Sequence, residues 1–355
     1  MNIKITGTGS VIPSKVEQNK SFSNHLFFDS NGDSIKNSNE VIIEKFKSIT
    51  GIEQRRYIED NQTVTDIAIE AANKSIDNAK INRELIDYII VAHNVGDITF
   101  ESNQIDTLPC LASKVKAGLE IKNPNCVAYD ILFGCPGWVE GVIQATAFIK
   151  AGMAKKCLVI GADTLSRVLD HTDRDSMIYA DGAGATIIEK SNEQGGILSH
   201  KTVTYTSEGE ADFIFYGTAN DKVGNSKYIK MHGRKVYEFA LSKVPLALKS
   251  CLESSGRSLS ELKKIFLHQA NLKMDEAIIN RFYGLYNKKM PENILPMNIQ
   301  EFGNSSVATV PTLFDLVINR NYCGHSLRKN DLILFASVGA GMNINAITYQ
   351  MKLSI

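Results

Sequence analysis

The chain reads as an α/β protein of two similar halves, and three observations carry that reading. Helix-period apolar patterns alternate with short β-branched runs along all 355 residues, the alternation that builds sheets covered by helices. Three motif pairs recur in the same order and at nearly the same offset, one member on each side of residue 190. The run Phe133-Gly134-Cys135-Pro136-Gly137-Trp138 joins an extended apolar segment directly to an amphipathic one, which is a sharp strand-to-helix turn.

The elements follow in order. The opening run 1–7 is too short and too polar for a signal peptide and reads as a first strand over 3–7. Further β-branched runs predict strands at 88–92, 127–131, 157–160, 185–189, 265–268, 332–336 and 345–350. Apolar residues at helical spacing predict helices at 64–79, 138–151, 235–254, 274–283 and 310–319. The polar stretch 29–39 reads as a surface loop and 207–226 as irregular. The duplication pairs Glu84-Leu85 before the strand at 88 with Glu261-Leu262 before the strand at 265. It also pairs Phe133-Gly134-Cys135 with Phe302-Gly303-Asn304, and the strand from Leu158 with the strand from Leu332. Each match alone is weak, and their common order is the argument. It predicts an N-terminal half over 1–190 and a C-terminal half over 191–355.

Bulk properties exclude several classes. Lys plus Arg and Asp plus Glu balance at 39 each, so no electrostatic case exists for nucleic acid or an anionic membrane as partner. No apolar run reaches the roughly 18 residues of a membrane span. The six cysteines sit scattered in apolar segments without Cys-x-x-Cys or Cys/His ligand spacing. That pattern speaks for a reducing cytoplasm and against disulfides or a bound metal. The glycine runs 7–12 and 181–184 lack, respectively, the third glycine of a dinucleotide loop and the Lys-Ser/Thr of a phosphate loop, so no nucleotide cofactor is expected.

Three residues are placed for chemistry. Cys135 stands at a helix N-terminus, where unpaired N–H groups and the helix dipole favour the nucleophilic thiolate; a buried structural thiol is the equally good alternative for the turn by itself. Pro136 suits the first helical position. His268 ends an apolar strand, where α/β proteins place their sites, although a lone histidine there also serves as a hydrogen-bonded core residue. Asn304 occupies the turn that echoes Cys135 and on its own reads equally as a helix cap. Taken together, a thiol and two neutral donors suit carbon–carbon bond formation from thioesters: the thiol takes an acyl group, and the donors hold the enolate formed when a second thioester loses CO₂.

The motifs then carry a resemblance over nearly the whole chain. They are Ile5-Thr6-Gly7-Thr8-Gly9-Ser10 with Pro13, Thr50-Gly51-Ile52 with Arg55-Arg56, the Cys135 turn, and Gly161 to Arg167. They continue through Thr172-Asp173-Arg174, Asp181-Gly182-Ala183-Gly184-Ala185, His268-Gln269-Ala270-Asn271-Leu272, Gly303-Asn304-Ser305-Ser306 and Gly339-Ala340-Gly341. In this order they resemble 3-oxoacyl-[acyl-carrier-protein] synthase III, the initiating β-ketoacyl synthase family of the thiolase superfamily. The resemblance implies a five-layered αβαβα thiolase fold, a cytoplasmic homodimer, and a cofactor-free acyltransferase of fatty acid, polyketide or secondary metabolite synthesis. It implies Cys135, His268 and Asn304 as the catalytic triad and the backbone N–H groups of Cys135 and Ala340 as the oxyanion hole. Leu108 matches the residue that reaches into a partner subunit's acyl pocket. Trp138, beside the nucleophile, is expected to shape that pocket. Arg234, Lys235, Lys273 and Arg281 are candidates to meet an acidic acyl carrier protein, or are simply solvated charges.

Departures from the family pattern bear on the substrate. Enzymes of this family that take acyl-CoA clamp its adenine with a Trp and an Arg before the Thr-Gly-Ile motif. Lys45 and Ile49 occupy the matching positions here, and neither can both stack and form a planar fork. Acyl-CoA and acyl carrier protein both remain open as donors. Two other functions stay open with them: acyl transfer to another C, O or N nucleophile, and a retired ketosynthase-like partner subunit.

Overall fold

The computed structural model describes residues 2–102 and 104–352; of the opening run, Met1 lies outside the described residues. The first half of the chain forms β1 (Asn2–Val11), β2 (Lys15–Gln18), α1 (Asn39–Thr50), β3 (Gln54–Tyr57), α2 (Val64–Ala79), β4 (Tyr88–Ala92), α3 (Leu111–Gly118), β5 (Val127–Ile131), α4 (Gly137–Lys150), β6 (Lys156–Thr164) and β7 (Asp181–Ser191). The second forms β8 (Gly196–Thr204), β9 (Ile214–Thr218), β10 (Lys227–Met231), α5 (Gly233–Ser254), β11 (Leu262–Leu267), α6 (Leu272–Gly284), α7 (Ile299–Phe302), α8 (Thr309–Arg320), β12 (Leu332–Gly339) and β13 (Asn343–Gln350).

Two sheets organise the molecule. One has the order β1-β7-β6-β4-β5, the other β8-β13-β12-β11. Each runs antiparallel, antiparallel, then parallel from its first-named strand. Among the described residues the second sheet has no fifth strand; beyond β11 its edge makes one backbone hydrogen bond, from Ile265 N–H to the Ile294 carbonyl at 2.8 Å. The shared order of pairing is the internal duplication expressed in backbone geometry.

Three apolar cores separate five layers. Between the sheets lie α4 and α8, whose Trp138, Val142, Leu313 and Phe314 pack with Phe266, Phe335 and Ile347 of the second sheet. α2 and α3 cover the outer face of the first sheet through Ile67, Ala71 and Val115. α5 and α6 cover the outer face of the second through Leu248, Ile278 and Phe282. The result is the αβαβα thiolase architecture. A helix between two sheets has almost no solvated face, which is why α4 buries Gly137, Trp138, Val139, Gly141, Val142 and Ile143, with only Glu140 between them partly exposed.

Some elements differ from expectation. α1 is an addition to the expected helices: its Ile42, Phe46 and Ile49 stand at helical spacing, but they line the cavity described below rather than a closed core, and only Ile42 and Thr50 are buried. The region read as irregular contains β9, which forms a hairpin with β10; both strands are half-exposed and lack clean alternation. Pro136 precedes α4 rather than forming its first residue.

The β9–β10 hairpin is bolted to the site-bearing segment 164–180. Lys230 of β10 pairs with Asp170, which is 2% exposed, and donates to Asp173 at 3.0 Å. Its neighbours Ile229 and Met231 face the cavity described below. Removing one partner of a buried pair strands the other, so Lys230→Met is expected to lower unfolding free energy by about 3 kcal/mol. Urea denaturation followed by far-UV circular dichroism measures it.

Candidate active site

The Cys135 turn works only because two backbones touch. Gly134 has φ +67°, and a Cβ there would lie 2.7 Å from the Ala340 nitrogen. A Cβ on Gly339 would lie 2.5 Å from the Cys135 nitrogen. The end of β12 therefore packs directly on the strand-to-helix turn that carries the thiol. Asn343 stitches the two, donating to the Ala340 carbonyl at 2.9 Å and to the Phe133 carbonyl at 3.5 Å. Ala340 keeps negative φ, so the methyl group costs nothing and its N–H stays beside the nucleophile's own.

Asn304 is held from the opposite side. Its N–H donates to the Ile178 carbonyl at 3.0 Å, and its carbonyl accepts from Ala180 N–H at 2.8 Å. The Asn304 Oδ1 accepts from Ser306 N–H at 2.9 Å, which leaves the Nδ2 donor without a protein partner among the described residues. His268 follows β11, its N–H donating to the Ala336 carbonyl at 2.9 Å. Its side chain is buried and Nδ1 makes no hydrogen bond.

One cavity of about 380 Å³ collects all three. Cys135, His268, Asn304 and Ala340 line its floor with Asn94 and Ser306. The mouth is bordered by α1 through Lys45 and Ile49, by Arg174 and Asp175, and by the first turns of α5 and α6. Among the described residues no group of three or more potential ligands is placed to hold a metal ion, and no helix is long and apolar enough to cross a membrane.

Protonation departs from the expectation of a stored thiolate. Burial pushes the Cys135 thiol up to about 12, with the Asp163 charge adding to it and the Ser306 hydroxyl opposing. Desolvation thus outweighs the helix N-terminus. Burial also lowers His268 to about 4, the Ser306 backbone offsetting part of the shift. At neutral pH the site holds a thiol and a neutral imidazole.

The imidazole has a stability consequence. Below about 6.5 the unfolded chain takes up a proton on His268, which the folded site refuses until about 4. The unfolded state binds more protons in that window, so His268 costs stability as pH falls through it. Urea midpoints are expected to drop between pH 7 and pH 5 less steeply in His268→Ala than in wild type.

The other expected residues separate. Trp138 is 1% exposed and stacks edge-on against Phe335 at 5.6 Å. It lines the core between the sheets and not the cavity, because the helix turns its face toward β12; its expected place in the acyl pocket is corrected. Leu108 is 89% exposed and lies outside this chain's cavity. Arg234, 91% exposed, and Lys235 open α5, and Lys273 opens α6, both helices whose first turns border the mouth. Arg281 sits about two turns further along α6 and donates to the Leu241 carbonyl. Asn94 and Ser306 received no role from the sequence, although Asn94 lies just past the C-terminal end of β4, as His268 lies just past the end of β11.

Fold and cavity define a thiolase-type condensing protein. The family model for 3-oxoacyl-[acyl-carrier-protein (ACP)] synthase III matches residues 129–206, and its C-terminal counterpart matches 252–351. The chain is 32% identical to the β-ketoacyl-[acyl-carrier-protein] synthase III of Porphyra purpurea, covering 99% of this chain and 100% of that one. Against the solved 3-oxoacyl-[acyl-carrier-protein] synthase III of Aquifex aeolicus the TM-score is 0.81, with 28% identity and coverage of 99% and 100%. A priming β-ketosynthase from the R1128 polyketide pathway shares the fold, with a TM-score of 0.80, 22% identity and coverage of 99% and 96%. The chain belongs to the 3-oxoacyl-[acyl-carrier-protein] synthase III family.

Proposed function

We propose that the protein condenses two thioesters by loading an acyl group on Cys135 and extending it with a malonyl-type carrier-protein thioester. The observation that carries this reading is the convergence of Cys135, His268 and Asn304, from three separate turns, on one cavity. In the first half-reaction a bond forms between the Cys135 sulfur and the acyl carbon as the donor's C–S bond breaks; the thiol proton ends on the departing thiol. The N–H groups of Cys135 and Ala340 face the oxygen that becomes negative. In the second, the malonyl carboxylate leaves as CO₂ and its electron pair becomes an enolate, held by neutral His268 and the Asn304 amide. The enolate carbon then attacks the acyl-Cys carbonyl, giving a 3-oxoacyl thioester and restoring the thiol with one proton taken up. An intact set of three side chains speaks against a retired subunit.

The mouth favours a carrier protein over CoA as acyl donor. α1 offers Lys45 and Ile49 where an adenine clamp would stand, and exposed Arg234 (paired with Glu238), Lys235 and Lys273 stand in the first turns of α5 and α6 beside the opening, charge suited to an acidic partner. The division near residue 190 and a homodimer, in which exposed Leu108 enters the partner's pocket, belong to the same reading. The test is a panel of acyl-CoA and acyl-carrier thioesters of graded length, with loading read by intact mass. Loading from carrier thioesters and not from CoA is expected; equal loading from both removes the argument from the mouth, and none from either removes the reading.

A further inference from the structure

A polar chain runs from a buried carboxylate to the nucleophile, and no step described above uses it. Asp163 is fully buried at the end of β6. It accepts from the backbone N–H of Asn94 at 2.7 Å and from Asn94 Nδ2 at 2.6 Å. The second Nδ2 proton goes to the Ser306 hydroxyl at 2.8 Å. That hydroxyl, its oxygen already accepting, turns its single proton to Cys135 Sγ at 3.4 Å. Ser306 reaches this place with φ +55°, a conformation that costs a non-glycine residue energy and concentrates at functional sites.

We propose that Ser306 is a further catalytic residue that donates to the Cys135 sulfur as it becomes thiolate, and that Asn94 is the positioning residue that aims it. The proposal rests on the reading of Cys135 as nucleophile. An amide held by a carboxylate has its oxygen–nitrogen orientation decided, because only Nδ2 can face Asp163. Both its protons are then committed, one to Asp163 and one to the Ser306 oxygen. The hydroxyl cannot turn its proton back toward Asn94; its acceptors are the Asp163 carboxylate and the Cys135 sulfur, to which it donates at 3.4 Å. A hydrogen bond to a charged acceptor is stronger than one to a neutral acceptor, so the contact gains strength when the thiol proton departs. It gains strength again when the extended chain leaves sulfur as thiolate. Asp163, Tyr179 and His268 are the other titratable groups around this sulfur; none of them is a donor recorded on it.

Iodoacetamide alkylation of Cys135, followed at the peptide level from pH 7 to 11, tests the chain of contacts. Ser306→Ala and Ser306→Gly remove the hydroxyl, and the glycine variant also relieves the backbone at φ +55°. Both are expected to slow alkylation at fixed pH by at least about tenfold and to move its rise to higher pH. Asn94→Ala keeps the backbone donor to Asp163, so the carboxylate stays paired. It is expected to slow alkylation on its own and to add nothing in the Ser306→Gly background. Unchanged alkylation in both Ser306 variants overturns the role of the hydroxyl, and additive effects overturn the role of Asn94. A wild-type Cys135 that never reacts overturns the nucleophile reading and this proposal with it, while a reactive Cys135 insensitive to Ser306 overturns this proposal alone.

Discussion

Cys135→Ala is expected to lose covalent acyl loading completely: the intact protein shows no mass shift with any thioester that loads wild type. The other five cysteines cannot substitute. Cys126, Cys157 and Cys251 are buried away from the cavity, and Cys110 and Cys323 do not line it. Condensation falls to background with loading, because the enolate then has no acyl group to attack. Decarboxylation of the malonyl thioester is expected to survive, since its charge develops on an oxygen facing His268 and Asn304 and not on sulfur. Measuring both products in one variant separates the half-reactions. Residual loading in Cys135→Ala places the nucleophile elsewhere.

How far the sequence reached depended on the range of the interaction. Strands β4, β5 and β12 announce themselves through local apolar runs, and their order through the duplicated motifs. The site residues were legible because turns at strand ends have local signatures: Gly134 before Cys135, and Gly303 before Asn304. Gly303 has φ +65° and a Cβ there would sit 2.8 Å from that of Arg55, so the glycine that marks the motif is one the backbone needs. Trp138 was misplaced because adjacency to Cys135 in sequence says nothing of direction on a helix enclosed by two sheets. The thiol's protonation was misjudged for a related reason. A helix N-terminus is visible in a sequence, whereas the enclosure that outweighs it comes from segments near residues 163, 179, 306 and 340. The contact between Asn94 and Ser306 spans 212 positions, and no local pattern encodes it.

The opposite dissociation is expected when the donors are removed. His268→Ala and Asn304→Ala should each slow malonyl decarboxylation by about 10²- to 10³-fold, the cost of one donor to a developing oxyanion. Acyl loading should persist in both, because its oxyanion is held by backbone N–H groups that neither substitution deletes. His268 suits this task by being neutral: with its pKa lowered to about 4, it donates a hydrogen bond to an enolate without surrendering a full proton to it. The sign of the pH dependence follows. The neutral fraction is nearly complete from pH 8 to 6 and declines only as pH approaches about 4, so the decarboxylation step should be flat across the neutral range and change only in acid. A histidine with an ordinary pKa would bend the profile near 6.5. Single-turnover release of CO₂ from a malonyl carrier thioester, measured between pH 4.5 and 8, distinguishes the two. A bend near 6.5 that vanishes in His268→Ala would show the imidazole acting by proton transfer, and the enclosed, neutral donor described here would have to be given up.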